Sequence, residues 1–130
     1  MGANILIVED NPQSLELMSY LLSTHGHRVH GASTGIQALT LAVSEPVELV
    51  LLDLQLPDLD GYQVLRKLRE QPRLATVNIV AVTAVAMVGD RERTLAAGFD
   101  HYMPKPINPR SFVAEIGSWL PTHARTPLPD

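Results

Sequence analysis

The sequence predicts an α/β fold in which a parallel five-stranded sheet is covered by helices on both faces. Short apolar segments alternate five times with helical segments along 130 residues, and this alternation is typical of right-handed βαβ units. Residues 49–52 are four apolar residues without a break, as in a strand buried on both faces. The chain has no internal repeat, and its length suits one domain with a full-sized core.

Proline and glycine delimit the first three strand–helix units. Apolar runs predict strands over residues 4–8, 28–32 and 47–53. The first helix begins at Asn11-Pro12, with proline in its first turn, and stops near Gly26. The second helix leads from Gly35 to Pro46, and the third follows Pro57 and Gly61.

The last two units complete the sheet and leave a short tail. Strands are predicted over residues 78–83 and 99–103, with a helix over residues 90–97 between them. Asn108-Pro109 is a typical start for the last helix, which extends to Leu120. We therefore predict one domain over residues 1–120. Residues 121–130 contain three prolines and are expected to form a flexible tail. Because so short a tail cannot fold into an effector domain, output through protein–protein contact is expected, unless the chain is a fragment of a larger protein.

Composition narrows the classes of function. Hydrophobic residues make up 45% of the chain and charged residues 18%, which is typical of a globular protein. The net charge of −4 argues against direct DNA binding and favours a cationic partner or a metal. Cysteine is absent, so thiolate metal sites are excluded. The sequence shows neither a signal peptide nor a run near the ~18 apolar residues of a membrane span, so we expect a cytoplasmic location without membrane association.

Polar residues follow four of the predicted strands. Glu9 and Asp10 follow the first strand, Asp53 ends the third, Thr83 ends the fourth, and Lys105 follows the fifth. The flavodoxin-like strand order 2-1-3-4-5, which suits five such units, makes the first and third strands neighbours. The sequence therefore predicts that three carboxylates converge beyond the carboxyl ends of the strands, where ligands of open parallel sheets bind.

Three converging carboxylates require a counter-charge. Two like charges ~4 Å apart repel by about 4 kcal/mol at an effective dielectric constant near 20. Lys105 supplies one positive charge, and an all-oxygen, water-rich site suits Mg²⁺. The sequence thus predicts a magnesium site at this edge.

Each residue also has a simpler interpretation when it is taken alone. Asp10 could only cap a helix, Asp53 could belong to a turn, Thr83 is a common strand-end residue, and Lys105 could be solvated. Their position on one edge of one predicted sheet favours a joint functional role.

His25 and His27 have a spacing that suggests metal ligands. They flank a turn beside a weak strand, and no acidic residue lies near them in the sequence. We therefore expect these imidazoles to be hydrogen-bonded or solvated rather than metal-bound.

Several segments together resemble the receiver domain of two-component response regulators, over about residues 4–120. They are Glu9-Asp10-Asn11, Asp53 with Pro57 and Gly61, Thr83-Ala84 and Lys105-Pro106. Thr83-Ala84-Val85-Ala86-Met87 and Gly89-Asp90 further resemble stand-alone cell-cycle regulators and the receivers of hybrid kinases.

The resemblance implies a role for each residue of the predicted site. Asp53 would be the phospho-acceptor, and Thr83 and Lys105 would bind phosphoryl oxygens. The ligands of Mg²⁺ would be Glu9, Asp10, Asp53 and the backbone carbonyl of Gln55. Tyr102 would be a rotating aromatic that, with Thr83, forms the switch.

The resemblance also implies how such a protein works. It would not be an enzyme with turnover; it would promote phosphoryl transfer to its own aspartate, followed by slow autodephosphorylation. The donor would be a sensor histidine kinase or a histidine phosphotransfer protein in a phosphorelay. The output would be contact with a downstream protein through the face formed by helix 4, strand 5 and helix 5.

Two alternatives belong to other classes of protein. A flavin or nucleotide binder needs a phosphate-binding loop after the first strand, but Glu9-Asp10-Asn11-Pro12 repels phosphate unless a metal intervenes. An aspartyl-phosphate hydrolase needs a second acid two residues after the nucleophile, where this chain has Gln55.

The first helix is more apolar than one buried face requires. Leu17, Tyr20 and Leu21 lie beside Leu15, Met18 and Leu22, which we assign to the core. Either the helix is deeply buried, or these three side chains form a docking surface for the phosphodonor.

Overall fold

The computed structural model describes residues 2–84 and 88–121, which fold into five strands and five helices. The elements are β1 (Asn4–Val8), α1 (Pro12–Ser23), β2 (Arg28–Ala32), α2 (Gly35–Ser44), β3 (Leu49–Asp53), α3 (Gly61–Arg69), β4 (Asn78–Thr83), α4 (Asp90–Ala96), β5 (His101–Pro104) and α5 (Pro109–Ser118). All strand pairs are parallel, and the order is β2-β1-β3-β4-β5. The predicted flavodoxin-like fold is confirmed.

Several boundaries differ from the sequence-based expectation. β3 begins at Leu49 rather than at residue 47, and α5 ends at Ser118 rather than at Leu120. β5 begins at His101 rather than at residue 99, because the Phe99 N–H still bonds to the Thr94 carbonyl in the turn that ends α4. A 3₁₀ turn over Pro72–Leu74 was not predicted. It buries Leu74 against the core between α3 and β4.

The sheet separates two apolar layers. The α1/α5-side core contains Ile5, Ile7, Met18, Leu22, Leu49, Leu51, Val80, Val82, Met103, Phe112 and Ile116. The α2/α3-side core contains Leu6, Val8, Ala38, Ala42, Val50, Leu52, Val64, Leu65, Leu68, Ile79, Ala81 and Phe99. Alternate strand residues enter opposite layers, and each fully buried large side chain contributes about 1.5–3 kcal/mol. This two-sided core makes the strand ends a rigid platform for the polar residues that follow them.

α1 is only partly buried. Met18 and Leu22 are buried, and Leu21 packs against the α1/α5-side core, so the expectation that Leu21 is surplus to the core is wrong. Leu17 is 39% exposed and Tyr20 is 65% exposed, which confirms surplus apolar surface at these two positions.

Within the described residues, no helix combines the length and apolar character that crossing a membrane requires. Residues 85–87, which belong to the segment after Thr83 that carries part of the family resemblance, lie outside the described residues, as do residues 122–130. The domain boundary at residue 120, the flexible tail and the cytoplasmic location stay predictions.

Candidate functional site

Three carboxylates meet at the carboxyl edge of the sheet. β1 and β3 are neighbours, with Val8 opposite Leu52, so the residues that follow or end these strands come together. One carboxylate oxygen from each of Glu9, Asp10 and Asp53 lies within 4.8 Å of the others. Glu9 and Asp53 are buried, whereas Asp10 is exposed. The structure thus brings together the three acids that the strand order placed at one edge.

Lys105 lies against two of these acids. Its N–H donates to the Thr83 carbonyl at 2.8 Å, which continues the pairing of β4 with β5. The ammonium lies 3.1 Å from Asp53 Oδ2 and also contacts Glu9 Oε1. Lys105 is therefore an ion-paired residue of the site and not a solvated surface lysine.

The pKa values of the buried pair are displaced by burial and by each other. Burial raises the pKa of Glu9, and the Lys105 ammonium and the Asn11 N–H oppose this rise without cancelling it. Burial alone would lower the pKa of Lys105, but the hydrogen bonds to Glu9 and Asp53 outweigh it and the pKa is raised. Lys105 is consequently protonated throughout the neutral range.

The donor set fits the magnesium ion that the resemblance implies. One ammonium faces three carboxylates, so the cluster retains an excess of negative charge. All side-chain donors are hard carboxylate oxygens, which Mg²⁺ prefers. The Gln55 N–H donates to Asp53 Oδ1 at 2.9 Å, which fixes the Gln55 backbone next to Asp53.

The simpler interpretations hold only in part. Asn11, and not Asp10, caps α1, because its Oδ1 accepts from the Ser14 N–H at 3.0 Å. Asp53 does make a turn hydrogen bond, to Gln55, and this bond leaves its Oδ2 to Lys105.

Gly61 allows α3 to start directly against the end of β3. A Cβ at Gly61 would lie 2.7 Å from Leu54 Cα and 2.9 Å from the Asp53 carbonyl oxygen. The Gly61 N–H donates to the Leu54 carbonyl at 3.0 Å. The loop that follows Asp53 is therefore closed on itself.

Thr83 and Tyr102 lie on the same side of the sheet. Thr83 is buried, and it stands opposite Pro104 just as Ala81 stands opposite Tyr102. Registered neighbours of parallel strands share a face, so Thr83 and Tyr102 both face the α2/α3 side, and Tyr102 packs half-buried against that core. Burial raises the pKa of Tyr102, and Asp90 and Tyr62 add to the rise, so its hydroxyl is neutral.

The two histidines have hydrogen-bonding roles. His27 is buried and its Nδ1 accepts from the Ala3 N–H at 3.0 Å. His25 Nδ1 lies 2.9 Å from the Leu21 carbonyl. This confirms the expected satisfied role of both imidazoles.

A cavity beside Lys105 was not predicted from the sequence. It measures about 410 Å³ and reaches from α1 to Lys105; its lining residues are Ser14, Leu17, Met18, Ala84, Lys105, Pro106 and Ile107. Asp58 also escaped notice, although its carboxylate accepts backbone N–H groups of α2. The only sequence signal was an acid in a loop, which does not reveal a partner 22 or 23 positions away.

Comparison with known proteins identifies the family. Residues 5–117 match the family model described as the response regulator receiver domain. The polar-differentiation response regulator DivK of Brucella ovis is 36% identical over 120 residues, which cover 92% of this chain and 98% of DivK.

Solved structures agree with this assignment. The receiver domain of the Pseudomonas aeruginosa sensor histidine kinase PA1611, crystallised with a magnesium ion in its active site cleft, is 38% identical with a TM-score of 0.82, covering 92% of this chain and 98% of that one. A CheY-like receiver domain protein from Methanospirillum hungatei is 30% identical with a TM-score of 0.81, covering 91% and 93%. The chain therefore belongs to the response regulator receiver domain family and acts as a phosphorylation-dependent signalling switch of two-component systems.

Proposed function

We propose that Asp53 is the phospho-acceptor of this switch and that a phosphohistidine is the donor. The observation that carries the proposal is the convergence of Asp53, Glu9 and Asp10 at one edge of the sheet, with the Lys105 ammonium in contact with Asp53 and Glu9. The family match gives no support to the flavin-binding or hydrolase alternatives.

Both oxygens of Asp53 are oriented before any reaction. Oδ1 accepts from the Gln55 N–H and Oδ2 from Lys105. In the proposed step a carboxylate oxygen of Asp53 attacks phosphorus, the P–N bond of the phosphohistidine breaks, and the imidazole takes the electron pair as it leaves. Phosphoryl transfer depends mainly on positioning and on charge stabilisation. Lys105 supplies a positive charge to a phosphoryl oxygen, and the Thr83 hydroxyl donates to another.

Glu9, Asp10, Asp53 and the backbone carbonyl of Gln55 would hold Mg²⁺. When bound, the ion supplies positive charge that neutralises the phosphoryl oxygens. The chain would thus promote transfer to its own Asp53 and the slow loss of that phosphoryl group, without turning over an external substrate.

The donor surface in this proposal is α1. Leu17 and Tyr20 expose apolar area there, and the cavity lined by Leu17 reaches Lys105. A sensor histidine kinase or a histidine phosphotransfer protein that covers α1 would bring its phosphohistidine toward Asp53. The modified switch would then contact a downstream protein through α4, β5 and α5.

The test is the mass gained on treatment with acetyl phosphate and Mg²⁺. The parent should gain one phosphoryl group, and Asp53→Asn should gain none. Asp60→Asn is the matched control, because Asp60 caps α3 through Oδ1 alone and asparagine is an equally good cap. Labelling that persists in Asp53→Asn, or in the parent with excess chelator, would contradict the proposal.

A further inference from the structure

The loop between β3 and α3, residues 54–60, carries the proposed backbone ligand Gln55. It is held at its base by the Gln55 N–H to Asp53 Oδ1 and the Gly61 N–H to the Leu54 carbonyl, at 2.9 and 3.0 Å. These bonds fix the two ends of the loop. The residues in its middle must be held by other contacts.

Asp58 holds the middle of this loop. Its Oδ1 accepts from the Gly35 N–H at 2.8 Å and from the Leu59 N–H at 2.9 Å, and its Oδ2 accepts from the Ile36 N–H at 2.9 Å. The N–H groups of Ile36 and Gly35 lower the pKa of Asp58, so the carboxylate is charged at neutral pH. An exposed side chain thus joins the loop to a helix that precedes it by more than twenty residues.

The partner of Asp58 is the first turn of α2. N–H groups at a helix start have no partner within the helix, and the helix dipole favours an anion there. Thr34, the N-cap of α2, accepts from Gln37 and leaves Gly35 and Ile36 to Asp58. The helix also lies close to the loop, because a Cβ at Gly35 would be 3.0 Å from Leu59 Cβ and 2.9 Å from Val64 Cγ2.

We propose that Asp58 is a positioning residue for phosphorylation: it fixes the β3–α3 loop against α2 and so holds Gln55 in place for the metal. The inference rests on the proposed function, in which the Gln55 carbonyl is a ligand. Mg²⁺ demands near-ideal octahedral geometry, so a loop that shifts weakens the site even though every ligand residue is still present.

The experiment compares two identical substitutions in one loop. Asp58→Asn removes one of two acceptor oxygens in use and turns an amide N–H toward the Ile36 N–H. Asp60→Asn removes the same charge but keeps the one oxygen in use. Mn²⁺ binding is measured by electron paramagnetic resonance, and the Mg²⁺ dependence of the acetyl phosphate reaction is measured in parallel, with thermal midpoints to verify folding.

Asp58→Asn should raise the Kd for Mn²⁺ about tenfold, as loss of a ligand-orienting contact does. The half-saturating Mg²⁺ concentration should rise by the same factor, with the rate at saturating Mg²⁺ unchanged. Asp60→Asn should match the parent in all three measurements. An unchanged Kd in Asp58→Asn, or an equal rise in Asp60→Asn, would overturn the inference. A parent that binds no Mn²⁺ would instead contradict the proposed function, so the two failures are distinguishable.

Discussion

Lys105 is the residue that lets two buried carboxylates coexist before any metal binds. Its side chain is only 17% exposed, and Glu9 is almost fully buried. Removing one partner of a buried ion pair leaves an uncompensated charge, which is far more costly than the pair itself. In the proposed function, Mg²⁺ would bind the same carboxylates that Lys105 already contacts.

His27, which lies outside the acidic site, makes the stability of the fold depend on pH. Burial lowers the pKa of His27, and His25 and the N-terminus lower it further while Glu48 opposes them. The neutral ring is required, because Nδ1 accepts the Ala3 N–H. As pH falls below about 6.5, the unfolded chain takes up a proton on this histidine before the folded chain does.

We expect the free energy of unfolding to fall with decreasing pH from about 6.5 to the lower folded-state pKa, by at most about 1.4 kcal/mol per pH unit. His27→Gln, whose amide oxygen can accept the same N–H, should lose this component. Denaturant unfolding at pH 7.5 and 5.5 measures it, with His30→Gln as the control, because His30 is not among the groups that shift the pKa of His27. An identical pH dependence in the parent and His27→Gln would exclude His27 as the source.

At the scale of the element, α1 buries one face in the core and exposes Leu17 and Tyr20 on another, which is the donor surface of the proposed function. Leu17→Glu should slow phosphoryl transfer from a phosphohistidine protein about tenfold, as loss of ~1.4 kcal/mol in docking would. The reaction with acetyl phosphate, which needs no docking surface, should be unchanged.

Val43→Glu is the control for that substitution, because Val43 is 58% exposed on α2. Both reactions of this variant should proceed at the parent's rate. Equal slowing of the two reactions in Leu17→Glu would indicate a folding defect. Slower transfer from the phosphohistidine protein in Val43→Glu would contradict the assignment of the docking surface to α1.

At the scale of the whole molecule, phosphorylation must reach a surface that partners contact. In the proposed function, phosphorylation would add charge and strong acceptor oxygens at Asp53, and Thr83 at the end of the neighbouring strand is the hydroxyl we expect to respond. Tyr102 faces the same side of the sheet and could turn inward as Thr83 moves. This coupling carries a few kcal/mol at most.

Thr83→Ala and Tyr102→Ala should therefore still accept the phosphoryl group but lose the phosphorylation-dependent change in partner affinity. Titration of the downstream partner, with and without phosphorylation, measures this. Thr40→Ala is the control, because it removes an exposed hydroxyl on α2 whose hydrogen bond goes to the Ile36 carbonyl of the same helix. If both test variants respond as the parent does, the signal takes another route.

The sequence predicted the strand order and the clustered acids because both follow from local patterns: apolar runs and the residues that end them. It misplaced the start of β5 because Phe99, although apolar and packed in the core, lies in the turn that ends α4 and does not pair with β4. It missed Asp58 because that contact depends on how α2 approaches a loop distant in sequence. Leu21 was misjudged because the sequence of α1 alone does not show how much of the helix packs against the α1/α5-side core.

The acid cluster determines the net charge at this edge of the sheet before and after phosphorylation. Three carboxylates oppose one ammonium, and a divalent ion would bring the edge of the sheet to electrical neutrality. If Asp53 is the phospho-acceptor, as we propose, phosphorylation would replace one unit of negative charge there by about two, and the modified edge would carry one negative charge in excess. On this view the first event of signalling is the appearance of one excess negative charge at a site that was neutral. Because the site is partly buried and its dielectric constant is low, this charge would act on the neighbouring strand.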